Sequence, residues 1–165
     1  MVPEAARYPG AVDADAHRAE AIASSIRARD LLGSVSRSAD QDAELLTAAF
    51  ASRHHWQVVG GLQEWIVSDW LVSRAAAAVG VAHLALLFAE RAYSTALRDG
   101  TPAWAQASAA EGVARAYGAA ADLDQRDAWC AIARDLVEAI DDQGDRVVAA
   151  GQLADTAAFA GPTGP

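Results

Sequence analysis

Alanine constrains this chain more than any other residue. It fills 43 of the 165 positions, whereas Leu, Ile, Val and Phe together fill 34. Alanine is the best helix former and a poor strand former. The apolar side chains are therefore mostly small, and a core made of them requires backbones that approach closely. This argues against a β-sandwich, a barrel or a large α/β enzyme, and points to an all-α fold. The length fits one domain.

Charge and cysteine content narrow the partners. The formal net charge is -9, and all 13 basic residues are arginine. A nucleic-acid binder needs a basic face that displaces counterions, so nucleic acid is not expected as a partner. Anionic membranes are disfavoured on the same ground. The single Cys130 cannot form an internal disulfide or a thiolate metal site, which is compatible with a reducing compartment. The start Met1-Val2-Pro3-Glu4 has neither a basic nor an apolar leader segment, so no signal peptide is expected. The longest mostly apolar stretch, Ala75 to Ala89, is too short to span a bilayer. A cytoplasmic protein is the expectation.

The organisation reads as two loose ends around a helical domain. Residues 1–14 hold two prolines and Gly10, and read as a flexible tail. Residues 161–165, Gly-Pro-Thr-Gly-Pro, read the same way. Between them, residues 15–160 form a single all-helical domain. Apolar spacing predicts helices at about Asp15–Leu32, Asp40–Val58, Leu62–Val79 and Ala82–Arg98. A fifth starts at Thr101-Pro102, read as a Thr N-cap followed by Pro at the first helical position. A sixth covers about Asp124–Ile140 and a last about Asp145–Phe159. Gly33, Gly60-Gly61, Gly80 and Gly100 mark the breaks. Short loops make neighbouring helices antiparallel. Six or seven such helices give a row of stacked hairpins or, alternatively, a compact bundle.

A repeat register favours the row. Tetratricopeptide units are 34 residues long, with small residues where their two helices cross. With Gly80 as the turn residue, one unit runs from Ile66 to Asp99 and places Ser73, Ala85 and Ala92 at the small positions. With Ala121 as the turn residue, a second runs from Ala107 to Ile140, with Ala114 and Ala133 at small positions and Arg126 breaking the pattern. The array is degenerate, because the two turns are 41 residues apart.

Three strings carry a family resemblance. Ala48-Ala49-Phe50-Ala51-Ser52-Arg53-His54-His55-Trp56 is similar to A-A-H-A-S-R-Y-H-W. Asp69-Trp70-Leu71-Val72-Ser73-Arg74, followed by Gly80 and Ala85-Leu86, is similar to E-W-x-x-S-R…G…A-L. Val113-Ala114-Arg115-Ala116-Tyr117 resembles L-A-R-A-H. Over about residues 40–155 the chain resembles an uncharacterised family of small actinobacterial, tetratricopeptide-repeat-like helical proteins. Phe50, His54 and Asp69 depart from the usual His, Tyr and Glu. The resemblance implies a fold and a residue cluster, not a reaction. In arrays of this type ligands lie along the first helices of the repeats. The facing positions here include Val67, Trp70 and Arg74 in one unit, and Ser108, Glu111 and Arg115 in the next.

Two constellations could carry chemistry. In the first, Arg53 and His55 on the second helix lie across the Gly60-Gly61 turn from Asp69 on the third. Asp69 then sits about one helical turn, roughly 5 Å, from the level of His55. A His55–Asp69 hydrogen bond would orient the ring as an acid or base. The plainer reading is a half-buried histidine satisfied by a neighbouring group. In the second, Trp56, Trp65 and Trp70 gather at one hairpin, and Trp70, Arg74, Glu111 and Arg115 make an aromatic and cationic groove. Such a groove suits an acidic peptide terminus or a small carboxylate. The plainer readings are space-filling tryptophans and solvated arginines.

Other motifs carry no chemistry. His54 and His55 are adjacent, hence about 100° apart on a helix, and His17 and His83 have no ligand spacing around them. No metal and no cofactor are expected. The acidic run Asp122–Asp127 has Arg126 and Asp127 where a calcium loop needs an oxygen ligand and Gly, so it reads as helix-start charge.

The leading expectation is a helical-repeat module binding a peptide, a partner protein or a small molecule through the Trp/Arg groove. The alternative is a small-molecule enzyme of a specialised pathway that uses His55 with Asp69 in a Trp-lined pocket. A homo-oligomer is a further possibility.

Overall fold

A computed structural model describes residues 13–159. Those residues form seven α-helices and no strand, as the alanine content requires. They are α1 (Ala14–Leu32), α2 (Ala39–Val59), α3 (Leu62–Ala78), α4 (Ala82–Ala96), α5 (Ala103–Ala119), α6 (Leu123–Glu138) and α7 (Gln143–Ala157). The two expected flexible tails fall largely outside the described residues. Within the described part, the helix already begins at Ala14, because the Asp13 side chain accepts a hydrogen bond from the Ala16 N–H at 3.0 Å.

The packing order is that of stacked hairpins. Each even-numbered helix packs on the odd-numbered helices before and after it. The backbones of α2, α4 and α6 stay apart from one another, and aromatic side chains such as Phe50 with Phe88 and Tyr93 with Trp129 bridge between them. The odd-numbered helices pack in succession, α1 on α3, α3 on α5 and α5 on α7. One face of the molecule is therefore a row of α1, α3, α5 and α7. α5 is the most enclosed, with every residue from Ala109 to Ala116 buried.

Small residues permit this spacing. Ser73, Ala85, Ala92, Ala114 and Ala133 are all buried. Gly112 and Gly118 extend the same logic within α5. A Cβ at Gly112 would meet Trp70 at 2.9 Å, and one at Gly118 would meet the Phe159 carbonyl at 2.7 Å.

The two turn residues of the register share one helix-ending geometry. At Gly80 (φ 80°) the Val81 N–H reaches Ala76 O at 2.9 Å and the Gly80 N–H reaches Ala77 O at 3.2 Å. At Ala121 (φ 58°) the Asp122 N–H reaches Tyr117 O and the Ala121 N–H reaches Gly118 O, both at 3.0 Å. This paired pattern satisfies the last carbonyls through one left-handed residue. Glycine tolerates that conformation, whereas alanine at Ala121 is strained by it.

Helix starts are fixed by side chains where the sequence supplies them. Ser38 and Gln41 form a reciprocal capping box on α2. Asp122 and Asp142 cap α6 and α7, so the acidic run before α6 is helix-start charge. The Thr101 cap expected for α5 is not formed. Pro102 takes the cap position, one residue later, and the Thr101 hydroxyl is left buried without a partner. The ends of α4, α6 and α7 fall two residues earlier than periodicity suggests, at Ala96, Glu138 and Ala157. Among the described residues no helix is long and apolar enough to cross a membrane.

Cys130 is buried on α6, and burial pushes its thiol above the ordinary value. It is expected to resist alkylation in the native protein at mildly alkaline pH and to react at once in denaturant, as thiol titration would show. Rapid native labelling would contradict its packing. Gly151 offers a contrast to the glycines of α5. It lies inside α7, and a Cβ added there would meet nothing within 4 Å. Gly151→Ala is expected to raise the unfolding free energy by up to about 1 kcal/mol through helix propensity alone, measured by urea denaturation.

Candidate functional site

The proposed acid/base pair does not form. His55 Nδ1 lies 2.8 Å from Nδ1 of His17 on α1, one nitrogen carrying the shared proton. Asp69 faces another way, and at 3% exposure it is almost completely buried. One of its carboxylate oxygens accepts from Arg53 Nε, and the other from Arg91 Nε at 3.4 Å. Both guanidinium groups also stand over the Phe88 ring, at 5.1 and 5.7 Å. Arg53 and Asp69 are thus brought together as expected, but as a structural clamp between α2, α3 and α4. Two features hid this from the sequence. His17 lies 38 residues from His55 in the chain, and Arg91 enters from α4, outside the α2–α3 hairpin. Among the described residues, no group of three or more His, Cys, Asp or Glu is arranged to hold a metal ion.

The second constellation is assembled, with roles that differ from residue to residue. Glu111, at 1% exposure, is the most deeply buried charged side chain described. Its Oε2 accepts from Trp70 Nε1 at 2.8 Å. Its Oε1 accepts from Arg115 Nε at 3.0 Å and from the Thr156 hydroxyl of α7. Burying a charge in this way requires pairing and full hydrogen bonding, and Glu111 has both. Glu111 and Arg115 were expected to face a ligand. Instead they lie beneath the surface, because α7 packs across α5 and brings Thr156 and Phe159 over them. Arg115 stands 5.2 Å from the centre of the Phe159 ring.

Arg74 remains nearer the surface. Its guanidinium lies over the Trp70 ring at 5.2 Å, and its Nη1 is 3.8 Å from Glu111 Oε1, too long for a hydrogen bond. Burial lowers its pKa below the ordinary value, and the charge of Arg115 lowers it further. Glu111 and Asp155 act in the opposite sense, while Arg29 adds to the repulsion.

Above this cluster the row of odd-numbered helices carries three adjoining cavities. One of about 220 Å³ has walls from Val67, Trp70, Trp104, Ser108 and Val148. A second, of about 320 Å³, extends toward α1 and includes Trp56 and Ile26. A third, of about 350 Å³, includes Trp70, Arg74 and Gln152. Arg29 borders all three. The expected ligand residues Trp56, Trp70 and Arg74 therefore share one face. Trp65 has a different place, donating its indole N–H to Trp56 O at 3.0 Å and stapling the α2–α3 turn.

Arg29 and Trp104 belong to this face, although sequence reasoning did not select them. Their signal was the packing order: α1 and α5 flank α3, so residues on their facing sides converge on Trp70. With the geometry described, comparison adds no relative: no family model, curated protein or solved structure matches the chain.

Two substitutions test the floor of this site. Glu111→Gln keeps the shape but leaves the Arg115 charge buried without its counterion, so a loss of about 3 kcal/mol is expected on denaturation. Gly112→Ala gains about 1 kcal/mol in helix propensity but drives a methyl into Trp70, which its bond to Glu111 holds in place. Overpacking of that kind costs about 1–3 kcal/mol. Net destabilisation with altered tryptophan emission is expected, and a stabilised variant would show that Trp70 is free to move.

Proposed function

We propose that this protein is a binding module whose ligand lies on the face made by α1, α3, α5 and α7. The observation that carries the reading is the continuity of the three cavities. They share Arg29, and neighbouring cavities share Val67 and Trp104 or Trp70 and Gln152. Concave, mostly apolar surfaces with a few placed polar groups are the usual form of a small-ligand site. Aromatic and arginine side chains are the usual anchors of such contacts.

The tetratricopeptide-like reading fits the same face. The facing positions Val67, Trp70, Arg74 and Ser108 all border its cavities. In this reading the hairpins serve as a scaffold, and a peptide, a partner protein, a small molecule or a second copy of the chain is the occupant. The acid/base alternative has no comparable support, since His55 bonds to His17 and Asp69 lies between two arginines.

The five tryptophan indole N–H signals offer a direct test by nitrogen–proton correlation spectroscopy. Trp129 packs edge-on against Tyr93 at 4.9 Å, away from the face, and is an internal control. Fragments that bind are expected to shift the signals of Trp104, Trp70 and Trp56 and to leave that of Trp129 in place. Shifts confined to Trp129, or no shift from any fragment, would contradict the proposal.

A further inference from the structure

We infer that the face takes a small hydrophobic monocarboxylic acid, its carboxylate on Arg74 and Arg29 and its apolar body between Trp70 and Trp104. This rests on the binding reading above and specifies the ligand class.

The anion end follows from unfinished pairing. Glu111 already accepts from Trp70, Arg115 and Thr156, so it has little left for Arg74. Arg74 makes no side-chain hydrogen bond among the described residues; its buried Nη1 is turned toward Glu111, 3.8 Å from Oε1, which leaves its other nitrogens for a ligand. The Arg29 side chain makes no hydrogen bond or ion pair among the described residues, and it stands close enough to Arg74 to repel it. Arg29, Arg74 and Arg115 share this region with Glu111 and Asp155, and Asp145 borders the adjoining cavity. Arg29 and Arg74 are the cations here without a hydrogen-bonded carboxylate, Arg74 being 3.8 Å from Glu111. A carboxylate supplies the acceptors that these two guanidinium groups lack. The guanidinium carbon of Arg74 lies 5.2 Å from the centre of the Trp70 ring, and the planar guanidinium group suits two-pronged carboxylate recognition.

The apolar end follows from the adjoining cavity. Its volume of about 220 Å³ suits a body of one ring, since a cavity of about 150 Å³ accepts benzene. Ile66, Val67, Trp104 and Ala149 supply apolar wall. Ser108 and Gln152 are the uncharged polar side chains there, and they are bonded to each other at 3.3 Å. A peptide backbone would find few partners on such walls, while a hydrocarbon body needs none. Asp145 borders this cavity and is absent from the border of the Arg74 cavity. Its charge repels a carboxylate and so orients the ligand with its anion toward Arg74.

The test uses 3-phenylpropionate, 3-phenylpropionamide and inorganic phosphate with the full chain, by calorimetric titration alongside the indole spectra. The acid is expected to bind and to shift Trp104 and Trp70. The amide, with the same body and no charge, is expected to bind about ten- to a hundredfold more weakly, the worth of a charge-assisted hydrogen bond. Arg74→Gln should weaken the acid by a similar factor and leave the amide unaffected. Arg29→Gln, at an exposed rim position, should act in the same direction without disturbing the fold. Equal binding of acid and amide at the same tryptophans would overturn the carboxylate assignment and leave the binding face standing. Phosphate competing as well as the acid would overturn the role of the apolar wall. Acid and amide both leaving the indole signals of Trp70 and Trp104 unmoved would overturn this inference together with the reading on which it rests.

Discussion

The buried carboxylate of Glu111 is the contact on which the rest of the face depends. It joins three odd-numbered helices at one point: Trp70 from α3, Arg115 from its own α5, and Thr156 from α7. An alanine-rich core gives little shape to fix neighbouring helices, because small side chains interdigitate shallowly. A hydrogen-bonded charge in the middle of that core fixes direction as well as distance. Breaking such a pair is costly because it leaves a bare charge in a low-dielectric interior. The same contact fixes the indole of Trp70, and Arg74 lies 5.2 Å from the centre of its ring.

The two charge clusters on α3 have opposite surroundings. Asp69 looks toward α2 and α4 and is closed by Arg53 and Arg91 around Phe88. Trp70 and Arg74 look toward α1, α5 and α7, where Arg29 and Arg74 have no hydrogen-bonded carboxylate. Positions 69 and 70 are adjacent, so they diverge by about 100° around the helix. One becomes scaffold and the other becomes surface. The resembled strings run through both clusters, so the likeness alone could not separate them.

Much of the fold was legible. Alanine content excluded sheets, and glycine breaks with apolar spacing gave all seven helices. Gly80 and Ala121, the turn residues of the repeat register, both adopt left-handed backbone at a helix end. The site was legible only in part. Trp70 and Arg74 border cavities of one face. Glu111 and Arg115 are covered, because burial by α7 depends on a contact 45 residues away in the chain. Trp104 and Arg29 lay outside every string that had a pattern, since their place is set by which helices are neighbours. His55 shows the same limit, its partner being on α1 and not on the adjoining hairpin helix.

The most direct measurement is hydrogen exchange at the Trp70 indole nitrogen. A proton donated to a buried carboxylate exchanges only when α3, α5 and α7 separate. The expected result is an indole proton protected well beyond that of Trp104, with the protection lost in Glu111→Leu. An unprotected Trp70 indole in the native protein would contradict the central role given to Glu111.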